Sequence, residues 1–583
     1  MKLSKLFPIL DWLPNYKKEW LRGDLVAGIT VGIMLIPQGI AYALVAGLPP
    51  IYGLYTALIP QVIYAFLGTS RQLAVGPVAM DSLIVAAGVA TLAEVGSDQF
   101  IEFAILLALI MGLLQVIFGL FRLGFIVNFL SKPVISGFTS AAAIIIGLSQ
   151  LNNFLGINLD RNNKLQFLLY EVFQHIEEIH WLTFAVGITS IFGMVLIKKY
   201  FKKIPATLII VILSILVVRF FNLDLLGVAI IGEIPQGLPN FKIPTFDKQI
   251  LTKLFPIALT LSLIAYLQAI SIAKALESKH SEYKVVPNQE LIALGISNFI
   301  GSFFQTYPAT AGFSRTAVNE ESKAKTPLSS LISALIIAFT LIFLTPVFYY
   351  LPKAVLAAII MVAVFSLLDV KMPKKLLKFS KTDLVILIIT LLATATVGII
   401  EGIFIGVALS IIILIYKSTI PHMAILGKIP GTHFYRNTKR FNEVEIHDEI
   451  LIIRFDAQLH FANTAYFKDK LEDYSKLKGN ELKLLVLDGK SINRIDSSAI
   501  FTLIELLDYF NQKEVTMAFA GLKGPVRDKI INSGFMEKAN ETLFFMGIQE
   551  AVDWYHTGLK KEKFYKYLKQ KNKRKKNFND SVT

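Results

Sequence analysis

The chain contains no cysteine, which excludes a disulfide framework and any thiolate metal centre. Charge is also scarce. Asp, Glu, Lys and Arg make up 17% of 583 residues and hydrophobic residues 54%, with a mean hydropathy of +0.58. An ordinary soluble domain carries about 25% charge, so this composition indicates an integral membrane protein. Nucleophile elbow, P-loop and metal-spaced histidines are missing too. The eight histidines are scattered, with His422, His433, His447 and His460 gathered where the apolar region gives way to a polar one. An enzyme or an ATP-driven pump is therefore not expected. The net charge of +15 would suggest nucleic acid in a soluble protein, but in a membrane protein it indicates basic cytoplasmic loops, and no nucleic-acid partner is expected.

Residues 1–23 hold Lys2, Lys5, Lys17, Lys18 and Arg22 and lack a signal-peptide pattern, so they are read as a cytoplasmic segment. Fourteen apolar segments follow within 24–420, at 24–46, 50–68, 74–92, 99–121, 126–151, 181–198, 204–221, 250–275, 287–304, 312–320, 327–350, 352–370, 382–399 and 401–417. Loops after even-numbered segments carry the lysines, including Lys198, Lys199, Lys202, Lys203, Lys274, Lys279, Lys284, Lys371, Lys374, Lys375 and Lys378. Both termini are accordingly expected in the cytoplasm of a multi-pass cell-membrane protein embedded in the lipid bilayer.

The stretch Tyr307–Asn319 places an arginine and several hydroxyls inside this apolar region. Gly312 precedes Phe313-Ser314-Arg315-Thr316, which predicts an extended chain followed by a short helix whose first turn exposes unpaired N–H groups and partial positive charge. Such a terminus binds anions, and Arg315 adds a permanent charge. The competing reading is a structural Arg315 paired with a carboxylate or with carbonyls at a helix break. Segment three opens in the same way, with Gly76-Pro77-Val78-Ala79-Met80-Asp81-Ser82. If the chain is two halves of seven, these interrupted segments occupy equivalent positions, and such a pair points to a transporter site near the bilayer midplane with two helix N-termini facing one ligand. Segments one and eight, equivalent in that registration, carry Gln38 and Gln268.

Beyond residue 420, a linker (421–438) leads to an α/β domain over 439–556. Its strands are expected at 450–455, 482–488 and 516–520, and its helices near 463–475, 498–510 and 524–533, with a last helix from about Ile548. A basic tail, 557–583, ends the chain and is read as solvated.

Arg22-x-Asp24-x-x-Ala27-Gly28-x-Thr30, Pro37-Gln38-Gly39-x-Ala41-Tyr42-Ala43, Gly47-Leu48-Pro49-Pro50-Ile51-Tyr52-Gly53-Leu54-Tyr55, Gly68-Thr69-Ser70-Arg71, Gly76-Pro77, Ile272-Ala273-Lys274, Asn288-Gln289-Glu290-Leu291, Gly301-Ser302-Phe303-Phe304 and Ser314-Arg315 together resemble the SulP family of anion transporters, the sulfate permeases. The resemblance covers nearly the whole membrane region, and the soluble domain resembles the STAS domain that follows it in that family. It implies a seven-plus-seven inverted repeat with core and gate domains, elevator-like alternating access and a homodimer.

By the same resemblance the anion lies between segments three and ten, with the amides near Val78 and at Phe313 and Ser314 as donors and Arg315 as the charge. Gln38 and Tyr42 match pocket-lining positions. The alternatives are helix packing for Tyr42 and a partner for freed backbone groups for Gln38. Many bacterial members carry a glutamate where this chain has Gln268, which cannot titrate. Either coupling here differs from H+ symport, by Na+, by exchange or by neither, or another carboxylate substitutes, for which Asp81 is the candidate; the other reading of Asp81 is a carboxylate favoured by a helix N-terminus. No other cofactor is implied. Sulfate is the default substrate, with sodium-coupled bicarbonate transport or anion exchange as the alternative and an anion sensor with STAS output as a reading from another class. In the STAS domain, Ser497 within Asn493-Arg494-Ile495-Asp496-Ser497-Ser498 matches the position phosphorylated in anti-sigma-factor antagonists, which would regulate binding of a cytoplasmic partner. Helix capping is the competing account.

Overall fold

The computed structural model describes residues 7–125, 131–159, 164–200, 205–245, 247–280, 282–365, 367–535 and 543–557. The basic tail, apart from Thr557, and Lys2, Lys5, Lys202 and Lys203 lie outside them.

Each of the fourteen apolar segments forms a helix. In order they are α1 (Leu21–Val45), α2 (Pro50–Leu67), α3 (Ala79–Val89), α4 (Asp98–Leu120), α5 (Lys132–Ser149), α6 (Trp181–Tyr200) and α7 (Ala206–Phe221). The second half holds α8 (Lys248–Glu277), α9 (Pro287–Ser302), α10 (Phe313–Glu321), α11 (Leu328–Phe339), α12 (Lys353–Phe365), α13 (Lys381–Thr396) and α14 (Ile399–Thr419). Among the described residues, eight helices are long and apolar enough to cross a membrane. By contrast, α3 has 11 residues and α10 has 9. At 1.5 Å per residue these span about half of a 30 Å hydrocarbon layer.

The helices sort into two groups by packing. In one, α4 packs on α8 and α9, α11 packs on α1 and α2, α3 lies on α8, and α10 lies on α1. In the other, α12 packs on α5 and α6, α13 on α5, and α7 on α6. Backbones approach closely inside the first group because glycines face each other. A Cβ on Gly53 would collide with the carbonyl oxygen of Gly39, and one on Gly295 would sit 2.7 Å from that of Gly112. Without water to drive association in lipid, such close van der Waals contact is what holds helices together.

Two buried carboxylates pin the loops of this group. Asp24 accepts from the amides of Lys325 (2.7 Å) and Thr326 (3.0 Å), the Thr326 hydroxyl (2.6 Å) and the Tyr16 hydroxyl (3.2 Å). Glu290 accepts from the Tyr64 hydroxyl (2.6 Å), the amide and hydroxyl of Thr69 (2.7 and 2.5 Å) and the Ser70 amide (3.2 Å). A fully hydrogen-bonded carboxylate is tolerated in the interior where an unpaired one is costly. The Arg-x-Asp, Gly-Thr-Ser and Asn-Gln-Glu motifs thus serve architecture here.

The second compact unit spans 411–583. Its six-stranded sheet has the order β4-β3-β5-β6-β7-β8, with β3 Met423–Lys428, β4 Tyr435–Asn437, β5 Ile450–Phe455, β6 Leu484–Asp488, β7 Thr516–Ala520 and β8 Phe544–Phe545. Strands β5 to β8 pair in parallel, and β3 is antiparallel to β5. The helices are α15 (Thr464–Lys476), α16 (Ser497–Gln512), α17 (Gly524–Ile531) and α18 (Ile548–Thr557). Strand β6 is buried at every position, as expected of a parallel strand covered on both faces.

Candidate functional site

The chain leading into each half-helix is extended and buried among the apolar helices, and the two leads pair. Strand β1 (Val75–Gly76) runs antiparallel to β2 (Thr310–Ala311), with Val75 opposite Ala311 and Gly76 opposite Thr310. The Gly312 amide donates to the Ala74 carbonyl at 3.0 Å. Irregular backbone inside a membrane needs every polar group satisfied by protein, and polar side chains do so here. Asn298 brackets Ala309, accepting from its amide (2.8 Å) and donating to its carbonyl (3.0 Å). Thr56 accepts from the Tyr307 amide, and Thr310 donates its hydroxyl to the Ala265 carbonyl. Sequence periodicity gives no sign of a two-residue ladder, so this small sheet is visible only in the structure.

This pairing brings the starts of α3 and α10 together. Val78 and Gly312 precede their first residues. The first intrahelical amide donors are Ser82 to Val78 and Thr316 to Gly312, so the amides of 79–81 and 313–315 have no acceptor within their own helices. Arg315 is buried beside them, 1% exposed. Its Nη1 donates to the Pro77 carbonyl at 2.9 Å and lies 3.5 Å from Gln38 Oε1, while Nε and Nη2 have no protein partner. The guanidinium lies across Gly312, where a Cβ would come within 2.6 Å of Cζ, and beside Gly76, where one would stand 3.5 Å from Nη2.

A cavity of about 800 Å³ opens over this arrangement. Gln38, Tyr42, Val78, Gln268, Phe313, Ser314 and Arg315 all line it. Its opposite wall comes from α5, α6, α7, α12 and α14, so it lies between the two helix groups. It reaches Lys198, Thr207, Ser322 and Leu367, residues at or beside the lysine-rich connections that follow even-numbered helices. Phe313 and Ser314 are exposed toward it.

Other sequence-selected residues either lie off the cavity or are engaged by the backbone. Thr316, one of the hydroxyls in the Tyr307–Asn319 stretch, is turned inward and accepts from the Ala74 amide at 3.1 Å. Asp81 is fully buried, both carboxylate oxygens lack a protein partner, and it does not line the cavity. Gln268 donates from Nε2 to the Ala311 carbonyl at 2.8 Å and leaves Oε1 unpaired. An ionised glutamate could not make that bond, so the amide at this position supports β2. Far from the cavity in sequence, Asp496 caps α16, accepting from the Ala499 amide at 2.9 Å. Ser497 begins that helix and is exposed.

The sequence profile described as "Sulfate permease family" matches residues 21–390, and the STAS domain profile matches residues 442–551. "Sulfate transporter 4.1, chloroplastic" of Arabidopsis thaliana is 39% identical, covering 94% of this chain and 82% of that protein. "Probable sulfate transporter 4.2" of the same plant is 38% identical over 94% and 83%. Among solved structures, murine Slc26a9, an anion transporter in the inward-facing state, superposes with a TM-score of 0.89 at 26% identity, covering 95% of this chain and 94% of the other. The transmembrane domain of a cyanobacterial bicarbonate transporter shares the fold over 68% of this chain, at 23% identity and a TM-score of 0.59. The extended match across the paired half-helices and the α/β domain makes this chain a member of the sulfate permease family, an anion transporter and not an enzyme.

Proposed function

We propose that the protein is a secondary active transporter that carries sulfate across a cell membrane by elevator-like alternating access. The observation that carries this reading is the guanidinium of Arg315. It offers two buried, unpartnered donors at a cavity wall where two helix N-termini meet. Converging N–H dipoles and one guanidinium suit a small oxyanion, the class to which sulfate belongs. The two helix groups support the elevator reading, since the site residues sit on one group and the facing wall on the other. The packing pairs also support the repeat. The contacts of α4 with α8 and α9 and of α3 with α8 become those of α11 with α1 and α2 and of α10 with α1 when numbers shift by seven.

Coupling rests on Asp81 in this reading, because Gln268 cannot hold a proton and is occupied by Ala311. That same glutamine keeps sodium-coupled bicarbonate transport as the second reading. Uptake of labelled sulfate and labelled bicarbonate into liposomes holding the purified protein, under separately imposed proton and sodium gradients, separates them. Sulfate uptake driven by a proton gradient is the expected result, and bicarbonate uptake driven by sodium alone would replace the first reading with the second. Absence of net uptake of either would leave an anion sensor. Assembly as a homodimer and phosphorylation of Ser497 belong to the same proposal. The exposed position of Ser497 at a helix start would favour a phosphate there.

A further inference from the structure

Between α12 and α13 runs a helix, Lys371–Phe379, of sequence KMPKKLLKF. Lys371, Lys374, Lys375 and Lys378 recur at i, i+3, i+4 and i+7, which places them in one stripe. All four are exposed, and none has an acidic partner within 4 Å among the described residues. The stripe is flanked by exposed apolar side chains, with Val370 at 61% and Leu377 at 63% on one side and Phe379 at 73% on the other. Leu376 alone is buried.

We propose that this helix lies in the membrane surface and binds the phosphates of anionic phospholipids. Exposed Leu and Phe beside unpaired lysines would be unfavourable in water. They fit a helix half-sunk at the boundary of headgroups and acyl chains, with lysine stems reaching up to the phosphates. The attraction is electrostatic and belongs to an anionic leaflet surface. Its placement gives the contact a consequence. Asp369 caps the helix, accepting from the amides of Lys371 (3.1 Å) and Met372 (3.0 Å), and its other oxygen accepts from Ser136 on α5 at 3.0 Å. The Asp369 amide donates to Ser140 on the same helix. Ile135, Phe138 and Thr139 of α5 line the transport cavity, so bound headgroups would steady the cavity wall.

The purified full-length chain is exchanged into detergent with equal amounts of phosphatidylglycerol and phosphatidylcholine, and retained lipid is counted by native mass spectrometry. The wild-type chain is expected to retain phosphatidylglycerol over phosphatidylcholine by at least roughly tenfold. K371Q/K374Q/K375Q/K378Q is expected to lose that preference, and the matching quadruple arginine variant to keep it. Equal retention by wild type, an undiminished preference in the glutamine variant, or displacement of the lipid by millimolar glycerol phosphate would overturn the proposal. The readout is lipid retention, so it stands or falls separately from sulfate transport.

Discussion

Arg315, the one buried cation among the described residues, donates from Nη1 to the carbonyl of Pro77 at 2.9 Å, so the charge on half-helix α10 is held by the lead into half-helix α3. One hydrogen bond thereby ties the two leads together and leaves Nε and Nη2 of the guanidinium without a protein partner.

Replacing Arg315 with glutamine removes the charge and the two unpartnered donors. Sulfate affinity is expected to fall by about 2–5 kcal/mol, the scale for truncating one member of a buried hydrogen-bonded charge pair, with flux lost in parallel. Lysine keeps the charge without the planar fork and should recover only part of the loss. Equilibrium binding by calorimetry and liposome flux on both variants check this. Unchanged binding and flux in the glutamine variant would remove Arg315 from the site.

Gly312→Ala tests the seating of the guanidinium. The added Cβ falls 2.6 Å from Cζ of Arg315, so the side chain must shift, and anion affinity should drop at least tenfold while the protein still folds. Gly524→Ala, with nothing within 4 Å of its Cβ, is the control and should leave binding unaltered. Size-exclusion profiles and calorimetric titration of both variants provide the measurement.

Asp81→Asn replaces a buried carboxylate whose oxygens have no protein partner with a neutral amide. Uptake driven by a pH gradient is expected to disappear while sulfate–sulfate exchange at equal pH persists. Thermal stability should hold or rise, because a neutral group costs less to bury. A pH dependence identical to wild type would place coupling elsewhere.

The fourth test concerns the α/β domain. Burial pushes the Asp456 carboxyl up, but hydrogen bonds from Arg454 and His422 outweigh it and hold the group below the usual carboxylate range. A depressed pKa stabilises the fold above the unfolded-state value and is lost as pH falls through the folded-state value. The domain should therefore weaken below about pH 4, the ordinary range of an aspartate. Asp456→Asn should flatten that dependence and lower stability near neutral pH, as followed by thermal melts across pH 3–7.

Much of this was legible in advance because membrane physics leaves marks in composition. Fourteen apolar runs became fourteen helices, since a chain in lipid must satisfy its own backbone. Gly312 before Phe-Ser-Arg marked the start of α10, since a break followed by polar residues is conspicuous in an apolar background. The β1–β2 pair was not legible. Two residues carry no periodicity, and their partners lie more than 200 positions away. The same applies to Asp24 and Glu290, most of whose hydrogen-bond donors lie more than 200 positions away in the chain.

What the sequence determined by itself was the environment, the segment count, the break before Arg315 and the membership in a family. These follow from local composition and from residue types at fixed spacing. Only tertiary structure decided that Thr316 faces inward, that Asp81 lies off the cavity, that Gln268 props β2 and that Arg315 keeps two free donors. The reason is that a side chain's direction and its hydrogen-bond partner depend on which distant backbone packs against it, and no local pattern encodes that choice.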